Sequence, residues 1–138
     1  MTKQEIIEFI NKNPAFSLAT TEGSLPHVRI MMIYRADENG LIFATTTLKD
    51  LHKQLQANPA VELCFFNKKE FSQVRVEGTV ELLDDMELKK QIVEDLPFLK
   101  PLVENKGYDV ILCYRIKDPK ALFWTMEKNF EPKEYIQL

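Results

Sequence analysis

The chain has 138 residues, 45% of them hydrophobic and 28% charged, with a formal net charge of −3 and a sequence pI of about 5.5. This composition is typical of a globular chain and predicts a single domain over residues 1–138. The acidic balance counts against nucleic-acid binding, and no apolar run reaches the roughly 20 residues that a membrane span needs. The chain does not start with a secretory signal pattern, so we expect a cytoplasmic protein.

The cysteines and histidines predict neither a disulfide nor a metal site. Cys64 and Cys113 lie in separate apolar stretches, where a buried free thiol in a reducing compartment is the expected state. His27 and His52 are far apart in the sequence, and no Cys-x-x-Cys motif is present. We therefore expect no bound metal.

The predicted elements begin with a helix over residues 2–13. Thr2 and Glu5 have the spacing of a capping box, and Pro14 ends the helix. A short strand is predicted over residues 16–20, and a Gly-containing turn follows it.

Residues 26–47 predict one β-hairpin, because the loop 37–40 ends in Asn-Gly. In its first strand two sets of side chains alternate: Val28, Ile30, Met32 and Tyr34 on one face, and Arg29, Met31, Ile33 and Arg35 on the other. Both faces are apolar at their centre, so one should be covered by the core and one by something else. Arg29 is a charge within an apolar face and needs a partner, either a carboxylate of the chain or an anionic ligand.

A second helix is predicted over residues 47–58. Thr47 and Asp50 have capping-box spacing, and Leu48, Leu51 and Leu55 share one face. The next predicted elements are strands over 60–67 and 73–83. In the second of these the inward residues are Val74, Val76, Val80 and Leu82, and Gly78 on the same face indicates a bulge or a close approach of another backbone.

The rest of the chain adds a helix capped by Asp84 or Asp85 and ended by Pro97, then a loop or short helix over 98–107. Two further strands, over 108–116 and 121–126, precede an irregular or weakly extended tail. The predicted fold class is mainly β (α+β), a six- to seven-stranded antiparallel barrel with peripheral helices.

The junction IFATTTLKDLHK, residues 42–53, is the main candidate for chemistry. Threonine hydroxyls, free backbone N–H groups at a helix start, and Lys49 in the predicted first turn with Lys53 one turn later form a possible anion site. If the hairpin is right, Arg29 lies on a neighbouring strand and could bind the same phosphate. The alternatives are threonines that only cap the helix with solvated lysines, and an Arg29 that pairs with a glutamate at a strand edge.

These segments resemble the pyridoxamine 5′-phosphate oxidase-like superfamily of FMN-binding split β-barrels. The resemblance is to small oxidase-related, nitroimidazole-reductase-type and general-stress-type bacterial members, from about Glu5 to Leu83 and less specifically through Trp124. Its strongest parts are PHVRIMMI, IFATTTLKDLHKQLQANPAVELCFF and QVRVEGTVELL, in this order. The resemblance implies bound FMN and a homodimer with FMN at the subunit interface.

The resemblance also implies roles for particular residues. Arg29 would bind the FMN phosphate, and a lysine at the following helix, Lys49 or alternatively Lys53, would bind it too. The residues implied to hold the flavin ring or to end the next strand are Ile30, Met31, Met32, Ala44 and Thr45. Gln73 would approach the ring from a neighbouring subunit or strand, and Trp124 could stack near it or serve as core or dimer interface.

One departure bears on activity. The oxidases proper carry an Arg/His pair after a C-terminal tryptophan, whereas TMEKNFEPKEYIQL after Trp124 contains neither residue. The resemblance thus implies an FMN-dependent oxidoreductase that takes electrons from a reduced nicotinamide or similar donor, with pyridoxamine phosphate oxidation doubted. No catalytic side chain is expected, because the flavin supplies the chemistry. The alternatives are a non-catalytic flavin-binding or flavin-sensing protein, an interaction protein with a decayed site, and a nucleic-acid-binding barrel.

Overall fold

The structure is a computed structural model that describes residues 1–138. Its helices are α1 (Lys3–Lys12), α2 (Asp50–Ala57), α3 (Met86–Asp95) and α4 (Lys100–Lys106). Its strands are β1 (Ala15–Glu22), β2 (Leu25–Met32), β3 (Arg35–Asp37), β4 (Gly40–Thr46), β5 (Ala60–Asn67), β6 (Ser72–Leu83), β7 (Ile111–Thr125) and β8 (Tyr135–Gln137). None of these helices is long and apolar enough to cross a lipid bilayer.

All eight strands belong to one antiparallel sheet with the order β2-β1-β5-β6-β7-β4-β3, and β8 adds to the side of β7. The long strands β6 and β7 pair with each other over almost their whole length and carry the shorter strands on either side. The sheet curls into a split barrel with helices at its periphery, which confirms the predicted fold class.

The predicted strand count of six or seven differs from the eight strands observed in three places: two predicted strands merge into β7, the tail contributes β8, and the predicted first hairpin strand is split into β2 and β3. The predicted strands over 108–116 and 121–126 are one continuous strand, β7, which passes through Asp118 at φ 50° and Pro119. A 3₁₀ turn at Tyr108–Val110 precedes it. The tail, predicted as irregular or weakly extended, contains the three-residue strand β8, which pairs with β7.

The single hairpin predicted over residues 26–47 is also wrong. β2 turns back at Gly23 (φ 59°) and pairs with β1 in the register Leu18↔Arg29, so it never pairs with β4. The chain leaves the sheet after Met32, and the Asn-Gly turn closes only the short β3–β4 hairpin. Pairing across the nearer turn orders fewer residues before the first contact forms, which favours β1 as the partner of β2.

The barrel interior holds the main core, with Phe16, Phe43 and Phe65 fully buried at its centre. A capping box between Thr2 and Glu5 starts α1, as predicted, and α1 contributes Ile6 and Ile10 to this core. A second, smaller core lies between α3 and the outer surface of β4 and β7. Asp85 caps α3 by accepting a hydrogen bond from the Leu88 N–H, also as predicted.

Two details of the predicted α2 and β6 need correction. α2 begins at Asp50 with Lys49 as its N-cap and no side-chain cap, so the Thr47–Asp50 capping box is absent. Residues 47–49 form a turn instead, in which the Lys49 N–H donates to the Thr46 carbonyl. Leu82, predicted to face inward, is 53% exposed. Leu48, predicted to share a helix face with Leu51 and Leu55, lies before α2 and is 61% exposed.

Candidate anion and flavin site

Arg29 lies on the face of β2 that points toward the barrel interior. It is therefore not on the face that something other than the core must cover. Its partner across the strand pair, Leu18, is fully buried. The guanidinium Nη1 donates to Thr20 Oγ1 at 2.8 Å and to the Leu18 carbonyl at 3.3 Å, and Nη2 donates to Gln54 Oε1. Each of these acceptors is electrically neutral.

No carboxylate neutralises Arg29. The ion pairs of the structure are Arg75–Glu62, Lys90–Glu87 and Arg115–Glu81. Burial lowers the pKa of Arg29, because a partly desolvated cation here has no anion to stabilise it. A glutamate partner at the strand edge is therefore wrong, and no carboxylate of the chain neutralises the guanidinium.

Arg29 is linked to helix α2, which follows the threonine run, and not to a neighbouring strand that carries it. β2 and β4 are not adjacent in the sheet, so the predicted strand-to-strand route is wrong. α2 packs on β1 and β4, and its Gln54 reaches Arg29. Lys49 is the N-cap of α2 and not a first-turn residue, and both Lys49 and Lys53 are exposed.

Two buried polar atoms, one on β4 and one on β2, have no hydrogen-bond partner. Thr45 is 4% exposed, and its Oγ1 has no hydrogen-bond partner. His27 shares the inward face of β2 with Arg29, opposite Thr20, and its buried Nε2 is also without a partner. A buried donor without an acceptor lowers the stability of the folded chain. An acceptor oxygen of an anionic ligand would offset this cost.

The other residues implied to hold the flavin lie on more than one face. Met31 is half-buried against the main core, whereas Ile30 and Met32 point outward and are 70% and 62% exposed. Ala44 packs against the second core, under the helices, while Thr45 points the other way. The apolar face that needs an external cover is therefore the one formed by Val28, Ile30 and Met32.

Gln73 and Trp124 lie side by side on the outer surface, where β6 and β7 pair. They line a cavity of about 560 Å³ that is closed on one side by the segment from Lys128 to Ile136. Trp124 Nε1 donates to Asn129 Oδ1 at 3.2 Å, and Gln73 Oε1 accepts a weak hydrogen bond from the Cys64 thiol at 3.5 Å. The cavity volume is in the range of ligand-binding pockets.

One chain does not bring these two groups of residues together. Arg29 is on the inward face of β2, and Gln73 and Trp124 are on the outward face of β6 and β7, with β1 and β5 between them. Sequence reasoning found Arg29, Gln73 and Trp124 but missed Thr20 and Gln54. The available signal was a glutamine within the apolar stripe of α2, between the buried Leu51 and Leu55.

The fold is that of a split-barrel protein, in which a half-buried arginine without a carboxylate partner lies beneath a short helix. The sequence model of the family named pyridoxamine 5′-phosphate oxidase matches residues 2–101. The chain belongs to this family.

Curated relatives match over part of their length. Pyridoxine/pyridoxamine 5′-phosphate oxidase from Pseudomonas putida strain GB-1 is 39% identical over 74 residues, which are 53% of this chain and 34% of that protein. The same enzyme from Maricaulis maris is 40% identical over 72 residues, 51% of this chain and 32% of the relative. The match thus spans about a third of the length of these enzymes.

Solved structures match over nearly the whole chain. A NimC/NimA family protein from Clostridium acetobutylicum superposes with a TM-score of 0.79 at 26% identity, covering 98% of this chain and 92% of that one. General stress protein 26 from Bacillus anthracis gives 0.71 at 20% identity, with 99% and 98% covered. An FAD-binding protein from Mesorhizobium loti gives 0.60 at 15% identity, with 91% and 96% covered. The last two similarities show the shared fold.

Proposed function

We propose that the protein is an FMN-binding oxidoreductase that works as a homodimer. The observation that carries this is Arg29, a half-buried guanidinium held only by neutral acceptors. A charged donor group in that state suits a phosphate monoester, which offers several acceptor oxygens. Family membership and a structural neighbour named as FAD-binding support a flavin as the ligand, and FMN is the flavin that ends in a phosphate monoester.

The residues present fit FMN. Arg29 would bind the phosphate, with the unpartnered hydroxyl of Thr45 and one of the exposed lysines, Lys49 or Lys53, close to the same helix start. Ile30, Met31, Met32 and Ala44 would contact the flavin ring. These residues supply apolar surface and main-chain groups at the edge of the barrel.

A second copy of the chain completes the site. Gln73 and Trp124 are too far round the sheet, and on the wrong face, to join Arg29 within one chain. The exposed stripe Val28, Ile30 and Met32 offers an apolar surface that a partner could cover. We propose that the dimer forms on this outer face and brings Gln73 and Trp124 of one copy to the flavin of the other.

A bound FMN would supply hydride-transfer chemistry between a reduced nicotinamide or similar donor and a small acceptor. The chain's own residues bind and orient: Arg29 holds the phosphate, and the side chains around Gln73 and Trp124 shape the space beside the ring. Pyridoxamine phosphate is not proposed as the substrate, because the residues after Trp124 include no arginine or histidine.

FMN titration of purified protein tests the proposal. We expect flavin absorbance in the purified protein or uptake of added FMN, and bleaching of that absorbance by NADH or NADPH followed by return with an electron acceptor. Arg29→Ala should weaken FMN binding by about tenfold or more, since hydrogen bonds to charged groups contribute roughly 1.5–3 kcal/mol. Arg35→Ala, at an exposed arginine of β3, is the matched control and should bind FMN normally.

The outcomes separate three cases. Absence of both flavin absorbance and FMN uptake would refute flavin binding. FMN that binds through Arg29 but is not reduced by any nicotinamide would favour the alternative, a flavin-binding or flavin-sensing protein without turnover. Equal loss of affinity in the Arg29 and Arg35 variants would mean that Arg29 does not contact the phosphate.

A further inference from the structure

The hydrogen bonds around Arg29 form a closed ring. Arg29 Nη1 donates to Thr20 Oγ1 at 2.8 Å, and the Thr20 hydroxyl donates onward to Gln54 Oε1 at 2.7 Å. The same Gln54 oxygen accepts from Arg29 Nη2. Both contacts converge on Oε1, and the guanidinium fixes the orientation of the amide, because the flipped amide would place its N–H groups against the Nη2 donor.

Gln54 is an unusual residue for its place in the helix. α2 buries the stripe Leu51, Gln54 and Leu55 against the barrel, and Gln54 is only 5% exposed. Packing alone favours an apolar residue at this position, because a buried amide must find hydrogen-bond partners to offset its desolvation. Its side-chain oxygen accepts hydrogen bonds from both Arg29 and Thr20, so the glutamine orients the arginine.

The neutrality of Gln54 matters as much as its geometry. A carboxylate at the same place would also orient the guanidinium, but it would cancel the positive charge and repel an incoming phosphate. An aliphatic side chain would leave the charge free but would leave Nη2 without its acceptor, so that only Nη1 would be held. A glutamine amide holds the group and leaves its charge available.

We infer that Gln54 is a positioning residue that, together with Thr20, holds Arg29 in a fixed, uncompensated state and thereby makes the site select a phosphorylated flavin over an unphosphorylated one. This inference rests on the proposed function and deepens it. Gln54 itself touches the arginine and not the flavin. Its effect should therefore fall on the phosphate contact alone.

Binding of FMN and of riboflavin to the full chain separates this role from a structural one. The two ligands share the ring and ribityl chain and differ in the phosphate. Gln54→Glu should weaken FMN binding by about tenfold or more while riboflavin binding changes by about threefold or less, because only the phosphate meets the neutralised arginine. Gln54→Leu and Thr20→Val should also lower the ratio of the affinity for FMN to the affinity for riboflavin.

Gln56→Glu is the control for net charge. Gln56 lies two residues further along α2 and is exposed, so this variant adds the same negative charge to the same helix without touching Arg29. The ratio of its affinity for FMN to its affinity for riboflavin should stay at the wild-type value. Thermal unfolding of each variant without ligand checks that the barrel is intact, and Thr20→Val, nearly equal in volume, carries the test should Gln54→Glu fail to fold.

Every outcome decides the matter. A loss confined to FMN supports the inference. Equal losses for FMN and riboflavin, or the same loss in the Gln56 control, would overturn it and leave the flavin-binding proposal standing. Unchanged FMN binding in the Gln54 and Thr20 variants would overturn it as well. A wild-type protein that binds neither flavin would refute the proposed function and this inference together.

Discussion

Gln73 and Trp124 are direct partners on adjacent antiparallel strands, and both side chains leave the outer face of the sheet. Trp124 is the only tryptophan of the chain, and its indole N–H is held by Asn129 at the wall of the 560 Å³ cavity. Its fluorescence therefore reports on this cavity alone. The arrangement gives a direct way to ask whether the flavin reaches this face.

We expect FMN to quench most of the Trp124 emission as it binds, because a flavin ring beside the indole accepts its excitation. The measurement is a fluorescence titration run in parallel with flavin absorbance. Arg29→Ala should require a higher FMN concentration for the same quenching. FMN uptake without any change in tryptophan emission would contradict the placement of Trp124 at the flavin.

A charge in the exposed stripe of β2 should break the proposed dimer. Ile30 is 70% exposed in the isolated chain and sits between Val28 and Met32 on the outer face. Ile30→Glu would bury an unpaired carboxylate in an interface, which is costly. Sedimentation should show a dimeric wild type and a monomeric variant, with FMN affinity lowered in the monomer.

Phe98→Glu provides the control for this dimer test. Phe98 is 74% exposed and lies in the turn between α3 and α4, outside the stripe formed by Val28, Ile30 and Met32. This variant should remain dimeric at the same protein concentration. A monomeric wild type, or dissociation of both variants alike, would contradict the assigned interface.

Periodicity in the sequence predicted which residues share a face of a strand, with Leu82 as an exception, but not which strands are neighbours. Alternation separated Arg29 from Ile30 and located the inward valines of β6, and the fold class followed from the pattern of strands and helices. Both predicted turns form: the turn at Gly23 closes the β1–β2 pair, and Asn39-Gly40 closes the β3–β4 pair. Alternation did not show that the chain leaves the sheet after Met32, which separates β2 from β4.

The candidate site shows the same division. Arg29 stands out locally as a charge in an apolar strand, so its need for a partner is visible in the sequence. The partner Gln54 is 25 positions away and reaches Arg29 only because α2 folds across β1. The only local sign of such a non-local contact is a polar residue in an apolar stripe. The sequence pattern therefore indicated Lys49 and Lys53, and not Gln54, beside Arg29.

Gly78 gives a test of the fold that is independent of any ligand. It faces a bulge at which the register of β6 and β7 shifts between Glu77 and Thr79, and this confirms the predicted bulge. A Cβ atom at Gly78 would lie 2.8 Å from both Ile116 Cγ2 and the Lys117 carbonyl oxygen. Gly78→Ala should therefore cost roughly 1–3 kcal/mol of stability through overpacking, measured by urea unfolding.

The exposed Gly23 supplies the contrast, because nothing lies within 4 Å of the Cβ position there. Its φ of 59° imposes backbone strain but no clash, so Gly23→Ala should cost only about 1 kcal/mol. A Gly78→Ala variant as stable as wild type would show that the β7 backbone moves freely at the bulge.

Cys113 should make stability fall at high pH. It lies fully buried between β7 and α3, and burial raises the pKa of its thiol from the ordinary value of 9.0 to about 11. Above pH 9 the unfolded chain ionises this thiol while the folded chain keeps it protonated, so the stability contributed by the buried thiol is lost as the pH rises from 9 to 11. The loss should reach about 2 kcal/mol.

Comparison with Cys113→Ala isolates this effect from the titration of lysines and tyrosines. Urea unfolding at about pH 8 should show the variant less stable than wild type, because a buried sulfur has been removed. Since the variant has no thiol to ionise in the unfolded state, the difference should shrink or reverse by about pH 10.5. A stability difference that stays constant across this range would mean that the Cys113 thiol ionises equally easily in the folded and unfolded chains.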